Sequence, residues 1–159
     1  MAELQKDHPN VIAFPPLIFA TALGISWLLG MLIPLSVLPA SLTVVALMLG
    51  APLCVLAAGI ALSGIFAFRR AGTHIEPHKP SLVLVDDGPY RFTRNPMYVG
   101  LILLMLGISL MVSLDWGLLI APVFALVLHH GVVLREEAYL ENKFGDPYRA
   151  YLERTRRWV

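Results

Sequence analysis

Charge is scarce in this chain. Only 14% of its 159 residues are charged, against roughly 25% in soluble domains, which excludes a water-exposed surface over most of the molecule. Cysteine is nearly absent: Cys54 stands alone in an apolar run, so no intrachain disulfide can form and the redox compartment cannot be read. No two glycines are separated by a single residue, which excludes the G-x-G turn and the phosphate loops of Rossmann and Walker type. G-x-S-x-G and H-E-x-x-H are missing as well. No apolar run carries an internal charge, which argues against an ion or solute channel. A formal net charge of +1 gives no sign of a nucleic-acid partner, and no repeat or low-complexity segment is visible. The start MAELQKDHPN is polar and acidic, unlike the basic start of a cleaved signal peptide.

What fills the chain instead is hydrocarbon. Hydrophobic residues make up 57%, the mean hydropathy is +0.71, and the few charges are clustered, leaving uncharged stretches long enough to span a bilayer. The sequence therefore predicts an all-α integral membrane protein, a single membrane domain over 1–159 with four transmembrane helices at about 11–33, 41–68, 97–114 and 116–134. As a helix, 41–68 would measure about 42 Å, which predicts a tilt, a kink at Pro52 or an end emerging from the bilayer. Only Asp115 separates the last two stretches, which reads as a helical hairpin with Asp115 capping its second arm.

The twelve Lys and Arg residues fall at Lys6, between Arg69 and Arg94, and between Arg135 and Arg157. The positive-inside rule then makes the N-terminus, the loop 69–96 and the tail 135–159 cytoplasmic. The protein would be multi-pass, in the inner or plasma membrane if prokaryotic. In the tail, LREEAYLENKF has helical spacing, Gly145 stops it, and Asp146-Pro147 starts a short amphipathic helix bearing Tyr148, Tyr151 and Leu152, expected on the membrane surface.

Polar chemistry is thus confined to one face. In RFTRNPMYVG, Asn95-Pro96 reads first as a helix cap and first-turn proline. That reading leaves the crowding of Tyr90, Arg91, Arg94 and Tyr98 unexplained, and a helix N-terminus also suits an anionic group. Glu136-Glu137 lies where the fourth stretch leaves the membrane. It reads either as a solvated helix segment or as carboxylates facing a cavity. No metal site is expected. His129 and His130 are adjacent and point about 100° apart, and Pro77 interrupts the pair His74 and His78.

LVDDGPYRFTRNPMYVG, followed about forty residues later by REEAYLENKFGDPYRAYLERTRRW, resembles the isoprenylcysteine carboxyl methyltransferase family. It is also similar to the wider group of membrane methyltransferases that includes phospholipid N-methyltransferases. The likeness covers about Phe66 to Trp158. It implies S-adenosylmethionine-dependent methyl transfer at the cytoplasmic membrane face, onto a lipophilic or membrane-partitioned small molecule. The loop and C-terminal helices would form the cofactor pocket. Carried over residue by residue, the cofactor contacts are Leu82, Val83, Leu84, Val85, Tyr90, Asn95, Pro96, Met97, Tyr98 and Glu136. Arg94 and Glu137 are the candidate catalytic residues. Asn95 replaces the commoner His of the motif. One turn before Glu136, where prenylcysteine methyltransferases carry an Arg that approaches the substrate carboxylate, stands Val132, which counts against that substrate. The acceptor atom (O, N or S) and the oligomeric state stay open. The alternatives are a phospholipid N-methyltransferase and a non-catalytic lipid- or partner-binding protein on the same scaffold.

Overall fold

Pro15 and Pro16 open the first helix, where a missing N–H costs nothing and the fixed φ already suits a helix. The computed structural model describes residues 7–77 and 79–159; Lys6 and His78 lie outside them. Helix α1 (Pro15–Leu32) runs to a connection at 33–39 and a short 3₁₀ turn (Ala40–Leu42). Helix α2 (Thr43–Ala71) returns without interruption, Pro52 lying inside it, and ends at Gly72 with φ +68, the left-handed cap that glycine takes without strain. After the loop and a 3₁₀ turn (Gly88–Arg91), α3 (Pro96–Met111) crosses the bundle again. Helix α4 (Asp115–Leu128), a π-turn (His129–Val133) and α5 (Leu134–Phe144) follow as one continuous rod, and α6 (Asp146–Arg154) folds back after Gly145.

Among the described residues, three helices are long and apolar enough to cross a membrane: Pro15–Leu32, Thr43–Ala71 and the rod Asp115–Phe144. This corrects the expected four. The stretch 97–114 does not stay helical to its end: α3 has 16 residues, about 24 Å at 1.5 Å per residue, short of the roughly 30 Å hydrocarbon core. It stops because Val112, Ser113 and Leu114 form a turn, with Ser113 at φ +50 and the Leu114 N–H donating to the Ser109 carbonyl at 2.7 Å. The stretch 116–134 does not stop at 134 but continues through the π-turn to Phe144. The protein is a multi-pass integral membrane protein on three such helices.

Asp115 does more than begin α4. Its two carboxylate oxygens accept the backbone N–H groups of Val37 (2.9 Å) and Leu38 (3.1 Å), so it caps the α1–α2 connection as well as lying at a positive helix end. The neighbouring Trp116 indole donates to the Ile33 carbonyl at 2.8 Å, satisfying the last turn of α1.

Packing falls into two pairs. Helices α2 and α3 meet along small residues. A Cβ on Gly107 would sit 2.6 Å from Cys54 Sγ and 3.1 Å from the Gly50 carbonyl, and one on Gly100 would sit 2.9 Å from the Ala57 carbonyl. Backbone approaches that close substitute for the hydrophobic drive that lipid does not supply. Helix α1 packs on α4, with Phe19 edge-on to Phe124 at 5.9 Å. The residues Met105, Phe124, Leu128, Val132 and Val133 form the core between the pairs.

Candidate functional site

The loop after α2, the start of α3, the rod's far end and α6 all converge at the bundle end opposite Asp115. The convergence is built by the rod's pitch. Phe124, Leu128 and Val132 are buried and Glu136 and Leu140 line the cleft below, all in steps of four. An α-helix over-rotates by about 40° at each such step, since 3.6 residues make a turn. A π-turn inserts an extra residue into one turn and takes back about 100°. It is the device that keeps Glu136 and Leu140 under the core stripe.

The cleft's inner wall is α3. Tyr98 Oη donates to Glu136 Oε1 at 2.7 Å, tying α3 to the rod. Across from it lie Tyr90, Tyr148 and Tyr151, all buried. Tyr151 Oη donates to the Tyr90 carbonyl at 2.8 Å, which anchors α6 against the 3₁₀ turn. Burial pushes the Tyr90 hydroxyl well above its ordinary value, with the Glu136 charge adding to it, and burial raises Tyr148 and Tyr151 likewise. All three stay neutral donors at physiological pH. Tyr90 Oη and Arg94 Nε, both on cleft-lining residues, are buried without a hydrogen-bond partner among the described residues.

Glu137 behaves unlike its neighbour. Arg94 Nη1 lies 3.1 Å from its Oε1, and Arg157 grips both oxygens, Nη2 at 2.7 Å and Nε at 3.0 and 3.1 Å. Asn95 stands at the cap position of α3 but makes no side-chain cap. Its Nδ2 donates instead to the Arg157 carbonyl at 3.0 Å, so the tail claims the amide expected to cap the helix.

Of the twelve residues singled out from the sequence, ten line this cleft: Val83, Leu84, Val85, Tyr90, Arg94, Asn95, Met97, Tyr98, Glu136 and Glu137. Leu82 is exposed beside it and Pro96 is buried behind it. Val132 is fully buried in the core. Four contributors were not singled out from the sequence. Tyr148 and Tyr151 line the cleft, so α6 covers it, as expected of the C-terminal helices. Tyr139 on α5 accepts from the Ser81 N–H and donates to Asp7, joining the loop to the N-terminal segment at the cleft mouth. Arg157 was legible only as one of several tail arginines. His129 sits by Trp158, ring centroids 6.1 Å apart, and His130 is 4.7 Å from His129; His74 lines the cleft, its Nδ1 lying 3.0 Å from the Pro80 carbonyl.

A helical membrane protein with a tyrosine-rich, largely apolar cleft bearing a few polar groups at one end of its bundle is the class that fold and site define. Residues 45–147 match the family model described as phospholipid methyltransferase, and the chain belongs to that family. The chain is 41% identical over 63 residues to an uncharacterized protein of Haemophilus influenzae, covering 40% of this chain and 100% of that one. It is 34% identical over 101 residues to the protein-S-isoprenylcysteine O-methyltransferase of Schizosaccharomyces pombe, covering 62% of this chain and 38% of the yeast protein. No solved structure matches. Family membership implies S-adenosylmethionine-dependent methyl transfer.

Proposed function

We propose that the cleft binds S-adenosylmethionine and that the protein transfers its methyl group to a lipophilic acceptor drawn from the bilayer. The observation that carries this reading is the half-buried Glu136, bonded to Tyr98 in a cleft also lined by Tyr90 and Arg94, whose Oη and Nε have no hydrogen-bond partner among the described residues. These groups fit the cofactor: a carboxylate for its ammonium or ribose, donors for its carboxylate, and tyrosine faces for a sulfonium. When bound, the cofactor supplies an electrophilic methyl group. The protein's part is to hold the reacting groups in line and exclude water, and the tyrosine cover of α6 supports both. No covalent participation by a side chain is needed. The basic residues gather at the cleft end of the bundle, which supports a cytoplasmic cleft and cytoplasmic termini.

Titration calorimetry on detergent-purified protein tests the reading. S-adenosylmethionine or its demethylated product should bind wild type. Glu136→Gln should weaken binding about tenfold or more, as expected for losing a charge-assisted bond. Glu141→Ala, which breaks only an exposed pair with Arg149, should bind like wild type. Absence of binding by folded wild type sinks the reading. Membranes incubated with methyl-labelled cofactor then sort the acceptor: alkali-labile label marks a methyl ester, and alkali-stable label in phosphatidylethanolamine marks N-methylation.

A further inference from the structure

The tail beyond α6 returns to the cleft as an extended segment. Thr155 has φ −130 and ψ 132, and Thr93 and Arg156 form a parallel bridge. The Arg94 N–H donates to the Arg156 carbonyl at 2.9 Å. The Arg157 carbonyl accepts from Thr93 Oγ1 at 3.1 Å and from Asn95 Nδ2 at 3.0 Å. Its guanidinium, on the other side, closes on Glu137 of α5 through three short contacts. One residue therefore binds the start of α3 by its backbone and the rod by its side chain. Those are the two walls that carry Tyr98 and Glu136.

We infer that Arg157 is a positioning residue for methyl transfer, a clasp that fixes the distance between the two cleft walls and, through Glu137, the orientation of Arg94. This rests on the cofactor reading of the cleft. Glu137, with both oxygens held by guanidinium groups, serves as the clasp's receiver. The arrangement is not needed for the bundle to fold: Arg94 still neutralises Glu137 without Arg157, and the core between the helix pairs is made elsewhere.

The test uses the full chain with Arg157→Ala, Arg157→Lys and, as a control, deletion of the exposed Val159. In unliganded protein, hydrogen exchange at the Arg94 amide reads the clasp directly. Arg157→Ala should lose at least about tenfold of that protection, with the thermal midpoint little changed. Its kcat should fall at least about tenfold at a smaller change in KM, and added guanidinium ion at millimolar levels should restore part of both. Arg157→Lys should lie between, and the Val159 deletion should match wild type. Unchanged protection in Arg157→Ala overturns the clasp. Lost protection with wild-type kcat and KM overturns its part in catalysis. If wild type binds no S-adenosylmethionine, the cofactor reading falls, and the exchange result still decides whether Arg157 ties the walls together.

Discussion

Glu136 and Glu137 are chain neighbours with opposite surroundings, because adjacent helical residues point about 100° apart. One meets a tyrosine and open cleft; the other meets two arginines. Tyr98 is the residue that makes Glu136 a defined group instead of a mobile carboxylate. Tyr98→Phe keeps the ring and removes the 2.7 Å bond, a bond to a charged group worth about 1.5–3 kcal/mol. Cofactor affinity measured by calorimetry should fall about tenfold, and the fold should survive, since the phenyl ring fills the same space. At this scale part of the cleft was legible: the GPYRFTRNPMY and REE segments supply Tyr90, Arg94, Asn95, Met97, Tyr98, Glu136 and Glu137 of its lining, because local turn and cap chemistry concentrates polar residues there. Arg157 was not legible. Its partners lie 20 and more than 60 residues away, and no local pattern in TRRWV marks which arginine points inward. Asn95 shows the converse, a good cap by sequence whose side chain is taken by a distant carbonyl.

Among the elements, the π-turn has the clearest function. Without it, four steps of four residues from Phe124 to Leu140 would accumulate about 160° of rotation and turn Glu136 and Leu140 away from α3. The spacing itself was present in the sequence, but the strongly apolar run hid it, since a run apolar all round has no face to measure. A length change in the turn has an asymmetric outcome. Deleting the exposed His130 lets the turn relax to α-helix with both flanks keeping their faces, so cofactor binding should stay within about tenfold of wild type. Inserting an alanine after His130 adds a further rotation of about 100° and should abolish binding in the same titration. The short α3 was illegible for a related reason. Hydropathy continues through Val112 and Leu114, while the chain turns at Ser113, a lone turn-forming residue between apolar neighbours that sits at φ +50, where glycine would be expected.

For the molecule as a whole, chemistry is segregated by end. The Asp115 end holds the two short connections and no Lys or Arg; the opposite end holds the cleft, the loop, the tail and the N-terminal segment, whose Asp7 pairs with Lys143. Membrane insertion should therefore be one-sided. In a Cys54→Ser background, Ser36→Cys at the Asp115 end should react with a membrane-impermeant maleimide in intact cells. Arg70→Cys at the cleft end should react only after permeabilisation. The reverse pattern would invert the proposed orientation. The class and the helical architecture followed from composition alone, because an uncharged run of this length has few alternatives. The number of helices long enough to cross did not, because it turned on where two apolar runs stop.

The glycine seam between α2 and α3 has a mechanical consequence. Two rods meshed backbone to backbone, with a sulfur and carbonyls filling the places of missing Cβ atoms, have no free volume in which to slide. The α2–α3 pair is therefore one stiff body carrying Tyr98, and the rod that carries Glu136 packs directly on its α3 face. Stiffness far from the cleft thus fixes where one of its walls stands.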